Sequence, residues 1–159
     1  NQLRIAEYAD PVQRSTDLGD PIAFQCLMER LDMARIELEQ FLGSTLLDQY
    51  EIHYVQYPPR GKFARHVDDF KDDLAPKQPS RRCVSWILYL TEADWHPIED
   101  GGLLRVFDQD HSYDILPQSG SLVLFDSLVV EHEVTPNLRR HRSCLVGWFH
   151  TPCLNYKNV

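Results

Sequence analysis

Hydrophobic positions change their spacing once along the chain. In GDPIAFQCLMERLDMARIELEQFLG, Leu27, Leu31, Ala34, Leu38 and Phe41 recur at three- and four-residue intervals, the period of a helix with one buried face. Asp20 offers the N-cap carboxylate, Pro21 suits the first turn and Gly43 stops the helix. Met28 and Met33 read as packing residues of this helix. From Tyr50 onward the period falls to two. YEIHYVQY, KFARHVD, RCVSWILYL, GLLRVF, YDILP, SLVLFDS and RSCLVGWF are seven short strand-like runs separated by Pro, Gly, Asp and Ser turns. Such spacing predicts a sandwich or barrel: a mainly β core with the N-terminal helix packed outside one sheet as support. There is no internal repeat. DDFKDDLAPKQPSRR is a polar loop of the length that is usually mobile or functional.

The chain has 159 residues, 43% hydrophobic and 25% charged, an ordinary globular composition with enough length for one domain and a real core. Its formal net charge of −8 argues against nucleic acid or an anionic membrane as the main partner, since both reward clustered Lys and Arg. No apolar run approaches the length of a membrane span. Cys26, Cys83, Cys144 and Cys153 show no C-x-x-C spacing, and Cys83 and Cys144 sit in apolar runs, so the thiols read as reduced and the compartment as cytoplasmic. The chain opens on Asn1 rather than Met, which leaves room for upstream sequence.

One residue disturbs this pattern. In RSCLVGWF, Arg142 falls on the same strand face as Cys144, Val146 and Trp148. A guanidinium keeps its charge and is costly to bury unpaired, so an inward Arg142 requires an internal carboxylate or a bound acidic ligand. Tyr89, on a half-polar face of RCVSWILYL with Cys83, Ser85 and Ile87, is either a core tyrosine with a wet tip or a second donor to the same anion. In KFARHVDDF, His66 and Asp68 are two apart, so a strand carrying both would present them on one face with the small Ala64. Alone, this pair also fits a solvated His and Asp at a strand end. His132 in VVEHEVTP supplies a third group. Two histidines and a carboxylate on one face of a metal, with open positions opposite, is the arrangement of non-haem Fe(II) oxygenases. His53, His96, His111, His141 and His150 lack such a context and read as surface or loop residues. A cupin would more often show H-x-H and an extra Glu, which RHVDDF lacks.

From Tyr50 to His150 the runs YPPRGKFARHVDD, RRCVSWILYL, ADW, DGGLLRVF, DILP, LVLFDS, HEVTP and RSCLVGWFH follow the order found in the 2-oxoglutarate and Fe(II)-dependent dioxygenases. Within that superfamily the chain resembles the prolyl 4-hydroxylases related to the animal oxygen-sensing enzymes. The resemblance implies a double-stranded β-helix, or jelly roll. It further implies a single catalytic domain over residues 1–159, in which 1–49 are helical support and 50–150 the jelly-roll core. His66, Asp68 and His132 look like the iron ligands, Arg142 like the residue that salt-bridges the distal carboxylate of 2-oxoglutarate, and Tyr89 like the tyrosine that hydrogen-bonds it. Tyr57 is similar to a tyrosine lining the cosubstrate pocket, and Ile87, Leu104, Val134 and Trp148 to its apolar wall.

The implied cofactors are Fe(II), 2-oxoglutarate, O₂ and ascorbate. The implied partner is a protein substrate with a target proline, converted to hydroxyproline with release of succinate and CO₂. Two features depart from the oxygen-sensing pattern. The loop from Asp69 to Arg81 is longer, and the ending GWFH with RR before the central strand is also similar to hydroxylases acting on a ribosomal-protein proline. A free amino acid or other small molecule is the alternative substrate, and a non-catalytic jelly-roll binding module the alternative class.

Overall fold

The computed structural model describes residues 5–8, 20–69 and 78–153. In chain order its elements are β1 (Ile5–Tyr8), α1 (Pro21–Leu42), β2 (Glu51–Tyr57), β3 (Phe63–His66), β4 (Ser80–Tyr89), α2 (Pro97–Asp100), β5 (Leu104–Asp108), β6 (His111–Ile115), β7 (Leu122–Asp126), β8 (Glu131–Val134) and β9 (Arg142–Pro152). All seven predicted runs are strands. The central part of the polar loop, 70–77, lies outside the described residues.

Helix α1 starts and stops where its sequence dictates. The Asp20 carboxylate accepts from the amides of Ile22 (2.9 Å) and Ala23 (3.3 Å), and Gly43 ends the helix at φ 62°, a conformation that costs glycine little. Its inner face seats Leu31, with Leu27, Met28 and Leu38, on a cluster of Leu46, Ile52, Val84, Trp86 and Phe149. Full burial of side chains of this size is worth about 1.5–3 kcal/mol each. Two residues of the helix depart from expectation: Phe41 is 86% exposed and Met33 61%. The final turn projects past the cluster, and Met33 falls on the opposite face from Leu31.

The strands form a jelly roll of two antiparallel sheets among the described residues. One has the order β1-β2-β9-β4-β7 and the other β3-β8-β5-β6. Strand β9 is central, paired to β2 from Glu51↔Trp148 to Tyr57↔Arg142 and to β4 from Ser80↔Pro152 to Tyr89↔Cys144. Its two faces do different work. Phe149 points to the helix cluster, while Cys144 packs between the sheets with Val55, Tyr57, Ile87, Tyr89, Leu104 and Val134. Gly147 is needed because a β-carbon there would stand 2.2 Å from the Trp86 ring and 2.7 Å from the Glu51 carbonyl. Arg142 and Trp148 are six residues apart on the inner face, about 20 Å along an extended strand, so β9 spans the whole length of the space between the sheets.

Candidate metal and cosubstrate site

A cavity of about 300 Å³ opens between the sheets, at the lower end of the range for small-molecule sites. His66, Asp68 and His132 meet in its wall, their ligand atoms all within 4.8 Å of one another. His66 and His132 are register partners across β3 and β8, with ring centroids 4.3 Å apart. Asp68 reaches them differently from the sequence expectation. Strand β3 stops at His66, so the carboxylate does not share a strand face with it. The backbone bends after His66 and returns Asp68 Oδ1 to 3.1 Å from His66 Nε2 and 3.8 Å from His132 Nε2. His132 lies in the four-residue strand β8, which the seven predicted runs did not include.

The donor set fits a divalent transition metal. His66 Nδ1 lies 2.9 Å from the Ala64 carbonyl and His132 Nδ1 3.1 Å from the Val130 carbonyl. A carbonyl only accepts, so the proton sits on Nδ1 in both neutral rings and Nε2 carries the lone pair toward the cluster. Burial lowers the pKa of His132, which favours the neutral, ligating form. Asp68 is held ionised. Burial pushes its carboxyl up, but the adjoining His66 ring, the Ser85 hydroxyl, the nearby His132 and the Trp148 indole outweigh this and bring it to about 2. Ser85 Oγ donates to Asp68 Oδ2 at 2.5 Å and Trp148 Nε1 at 3.0 Å.

Beyond this cluster lies a buried cation. Arg142 is 1% exposed, its guanidinium carbon 5.1 Å from the Tyr57 ring and 5.0 Å from the Tyr89 ring. Nη1 contacts Cys144 Sγ at 3.4 Å. Nε, Nη2 and the Tyr89 hydroxyl find no hydrogen-bond partner among the described residues. Burial also pushes the Tyr89 phenol up to about 12, so it stays a donor. An edge of two guanidinium nitrogens with a phenol beside it matches a carboxylate. The internal Asp or Glu partner that the sequence left open is not found for Arg142 among the described residues. Tyr57, Ile87, Leu104, Val134 and Trp148 all line the cavity.

Several lining residues were not legible beforehand. His53, expected at the surface, lines the cavity with Glu51, Arg82 and Phe125. His150, also expected outside, is 9% exposed and lies 3.0 Å from Glu51 Oε2. Arg82 binds Glu51, its Nη1 donates to the Asp68 carbonyl at 3.3 Å, and its guanidinium lies 3.7 Å over the Trp148 ring. The only hint of Glu51 and His53 was their alternation in YEIHYVQY, which puts both on the face of Tyr57.

The sequence profile of the 2OG-Fe(II) oxygenase superfamily matches residues 52–150. Among solved structures, a prolyl-4-hydroxylase of Pseudomonas putida is 37% identical with a TM-score of 0.76, over 93% of this chain and 72% of that one. A prolyl hydroxylase of Trichoplax adhaerens, in complex with a peptide fragment of the hypoxia inducible factor oxygen degradation domain, is 22% identical with a TM-score of 0.76, over 93% of this chain and 63% of that one. A prolyl 4-hydroxylase of Phytophthora capsici is 21% identical with a TM-score of 0.67, over 96% of this chain and 49% of that one. The chain thus spans less than two thirds of the latter two. Comparison with curated proteins gives no match.

Proposed function

The chain belongs to the 2OG-Fe(II) oxygenase superfamily, and from that premise we propose that it is a prolyl 4-hydroxylase acting on a proline residue of a protein. The observation that carries this reading is a three-ligand cluster in the cavity wall together with Arg142 and Tyr89, which have buried polar atoms without partners among the described residues and pack behind the wall residues Tyr57, Ile87, Leu104 and Val134. The 37% identity to the Pseudomonas putida enzyme supports the prolyl assignment.

In this reading His66 Nε2, Asp68 and His132 Nε2 hold Fe(II). Bound there, the metal supplies the redox chemistry by which O₂ oxidatively decarboxylates 2-oxoglutarate to succinate and CO₂, one oxygen atom passing to succinate and the other to a substrate C–H bond. The protein's part is placement. Arg142 and Tyr89 take the distal carboxylate of 2-oxoglutarate, fixing which end of the cosubstrate points at the metal. Ile87, Leu104 and Val134 wall the cavity with apolar surface and exclude water around that ion pair. Ser85 and Trp148 keep Asp68 oriented and ionised, and the backbone carbonyls of Ala64 and Val130 fix the two imidazole tautomers.

Glu51, His53 and Arg82 line the same cavity beside Trp148. Residues 1–159 act as one catalytic domain, and the four free thiols suit a reducing compartment such as the cytoplasm. No helix among the described residues is long and apolar enough to cross a membrane.

The test is incubation with Fe(II), 2-oxoglutarate, ascorbate and O₂ against a panel of proline-containing peptides. Succinate release coupled to gain of one oxygen on a peptide proline is expected. Turnover with free amino acids alone would move the assignment to a small-molecule hydroxylase.

A further inference from the structure

The chain leaves the metal ligand His132 on β8 and must return as Arg142 on β9. Two fully buried polar side chains, Asn137 and Asp100, govern that return. Asp100 accepts from Arg139 Nε at 2.9 Å, from Arg140 Nε at 3.0 Å and Nη2 at 2.6 Å, and from the His96 amide at 2.8 Å. Its carbonyl also accepts from the Leu138 amide at 2.7 Å. Asn137 is tied on both main-chain sides, its carbonyl accepting from Arg60 at 2.6 Å and its amide donating to Gly61 at 2.8 Å. Its side-chain Nδ2 then donates to the Tyr57 carbonyl at 2.9 Å and to the Arg140 carbonyl. One amide group therefore joins the end of β2, which carries the Tyr57 ring, to the residue two before Arg142.

The other end of that amide is the more telling. Asn137 Oδ1 is buried without a hydrogen-bond partner among the described residues, and so is Arg142 Nε. Both border Gly102. A β-carbon on Gly102 would stand 3.3 Å from Asn137 Oδ1, 2.9 Å from Arg142 Cδ and 3.7 Å from Arg142 Nε. A glycine at φ 65° thus admits the arginine stem, with the amide oxygen beside it. The negative end of a fixed dipole borders the same glycine as a buried cation that has no counter-ion among the described residues, which favours the cation in that place while leaving its fork for a ligand.

We propose that Asn137 is a positioning residue for the cosubstrate anchor, setting the guanidinium of Arg142 against the Tyr57 wall so that it meets the distal carboxylate of a 2-oxo dicarboxylic acid. This rests on the 2-oxoglutarate reading above. Asn137 touches neither metal nor cosubstrate; it acts through Arg142 and Tyr57.

The experiment compares binding, by anaerobic calorimetric titration of the full chain with Mn(II) present, of 2-oxoglutarate and of pyruvate, which keeps the 2-oxo acid end but lacks the distal carboxylate. Asn137→Ala is expected to weaken 2-oxoglutarate about tenfold or more, the scale of a displaced charged hydrogen bond, while pyruvate binds as before. A merely structural role would weaken both together or neither. Asn137→Asp, equal in size, is the second variant. Its carboxylate would become an internal counter-ion for Arg142, and it is expected to lose the preference for 2-oxoglutarate more completely. An unchanged affinity ratio in either variant overturns the proposal. The underlying reading fails separately: it is sunk if wild type does not prefer 2-oxoglutarate to pyruvate, or if Arg142→Ala keeps that preference.

Discussion

The Trp148 indole donates from Nε1 to Asp68 Oδ2 at 3.0 Å while the Arg82 guanidinium covers its ring at 3.7 Å. The tryptophan is therefore more than cavity wall, because it orients the carboxylate that sits between two imidazoles. Trp148→Phe keeps the ring and the stacking but removes the donor. It is expected to weaken Fe(II) or Mn(II) binding about tenfold, the lower end for loss of a partner to a metal ligand. The fold should be retained, as checked by circular dichroism beside the metal titration. Unchanged metal affinity would mean that Ser85 alone suffices to hold Asp68.

Metal and fold stability should be linked through the same carboxylate. A ligand at one hundred times its Kd adds about 2.7 kcal/mol to the folded state, roughly a 5–10 °C rise in Tm for a chain of this length. Wild type should show this rise with Mn(II) and lose it with a chelator. Asp68→Ala should show no metal-dependent change at all. A rise in that variant would place the metal elsewhere.

The capping of α1, the seven strand runs and the convergence of His66, Asp68 and His132 were legible because each is carried by local signals: an Asp-Pro start, period-two alternation, and ordered motifs. Long-range pairing was not. Asp100 sits in HPIEDGG with nothing to mark it as the acceptor for Arg139 and Arg140, and Asn137 reads as an ordinary turn residue in TPNLRR. His53 and Glu51 share the face of Tyr57 in YEIHYVQY, so their inward aim followed from alternation, but a polar His or Glu on such a face is indistinguishable from a solvated one until the opposite sheet is known. Strand β8 escaped because EHEV is only four residues long and carries two glutamates, so it looks like a connection; only pairing to β3 and β5 makes it a strand. Phe41 failed the other way, being on the helical stripe but beyond the end of the surface that the helix covers.

Acid sensitivity should arise in part from two carboxylates outside the His66, Asp68 and His132 cluster. Arg140, with the His96 amide and Arg139, outweighs burial and holds the Asp100 carboxyl well below the usual range. Burial pushes Glu51 up, but His150 and Arg82 more than offset it and bring it to about 2. Both folded values lie under the unfolded ones of about 4. Their stabilisation is therefore complete above about pH 4 and is lost as pH falls, toward 2 for Glu51 and lower for Asp100. Thermal melts from pH 7 to 2 should show this decline. Asp100→Asn should melt lower at neutral pH and show a shallower acid limb. An equally steep acid limb in Asp100→Asn and in Glu51→Gln would assign the sensitivity to other groups.

The clearest consequence of the site is a conflict between stability and binding at Arg142. The folded chain buries a guanidinium at 1% exposure with Nε and Nη2 unpartnered among the described residues, which costs stability unless an anion arrives. Methionine has a similar reach and no charge, and its thioether packs well against the Tyr57 and Tyr89 rings. Arg142→Met should therefore raise the Tm of the cosubstrate-free protein, with a gain of roughly 1–4 kcal/mol, as found when apolar side chains replace buried charges. It should also abolish the further rise that 2-oxoglutarate gives wild type. The two effects must appear together, since both come from the same missing counter-ion. A variant that melts lower than wild type without cosubstrate, yet still gains stability from 2-oxoglutarate, would show that Arg142 is a structural residue and that the dicarboxylate is held by other groups.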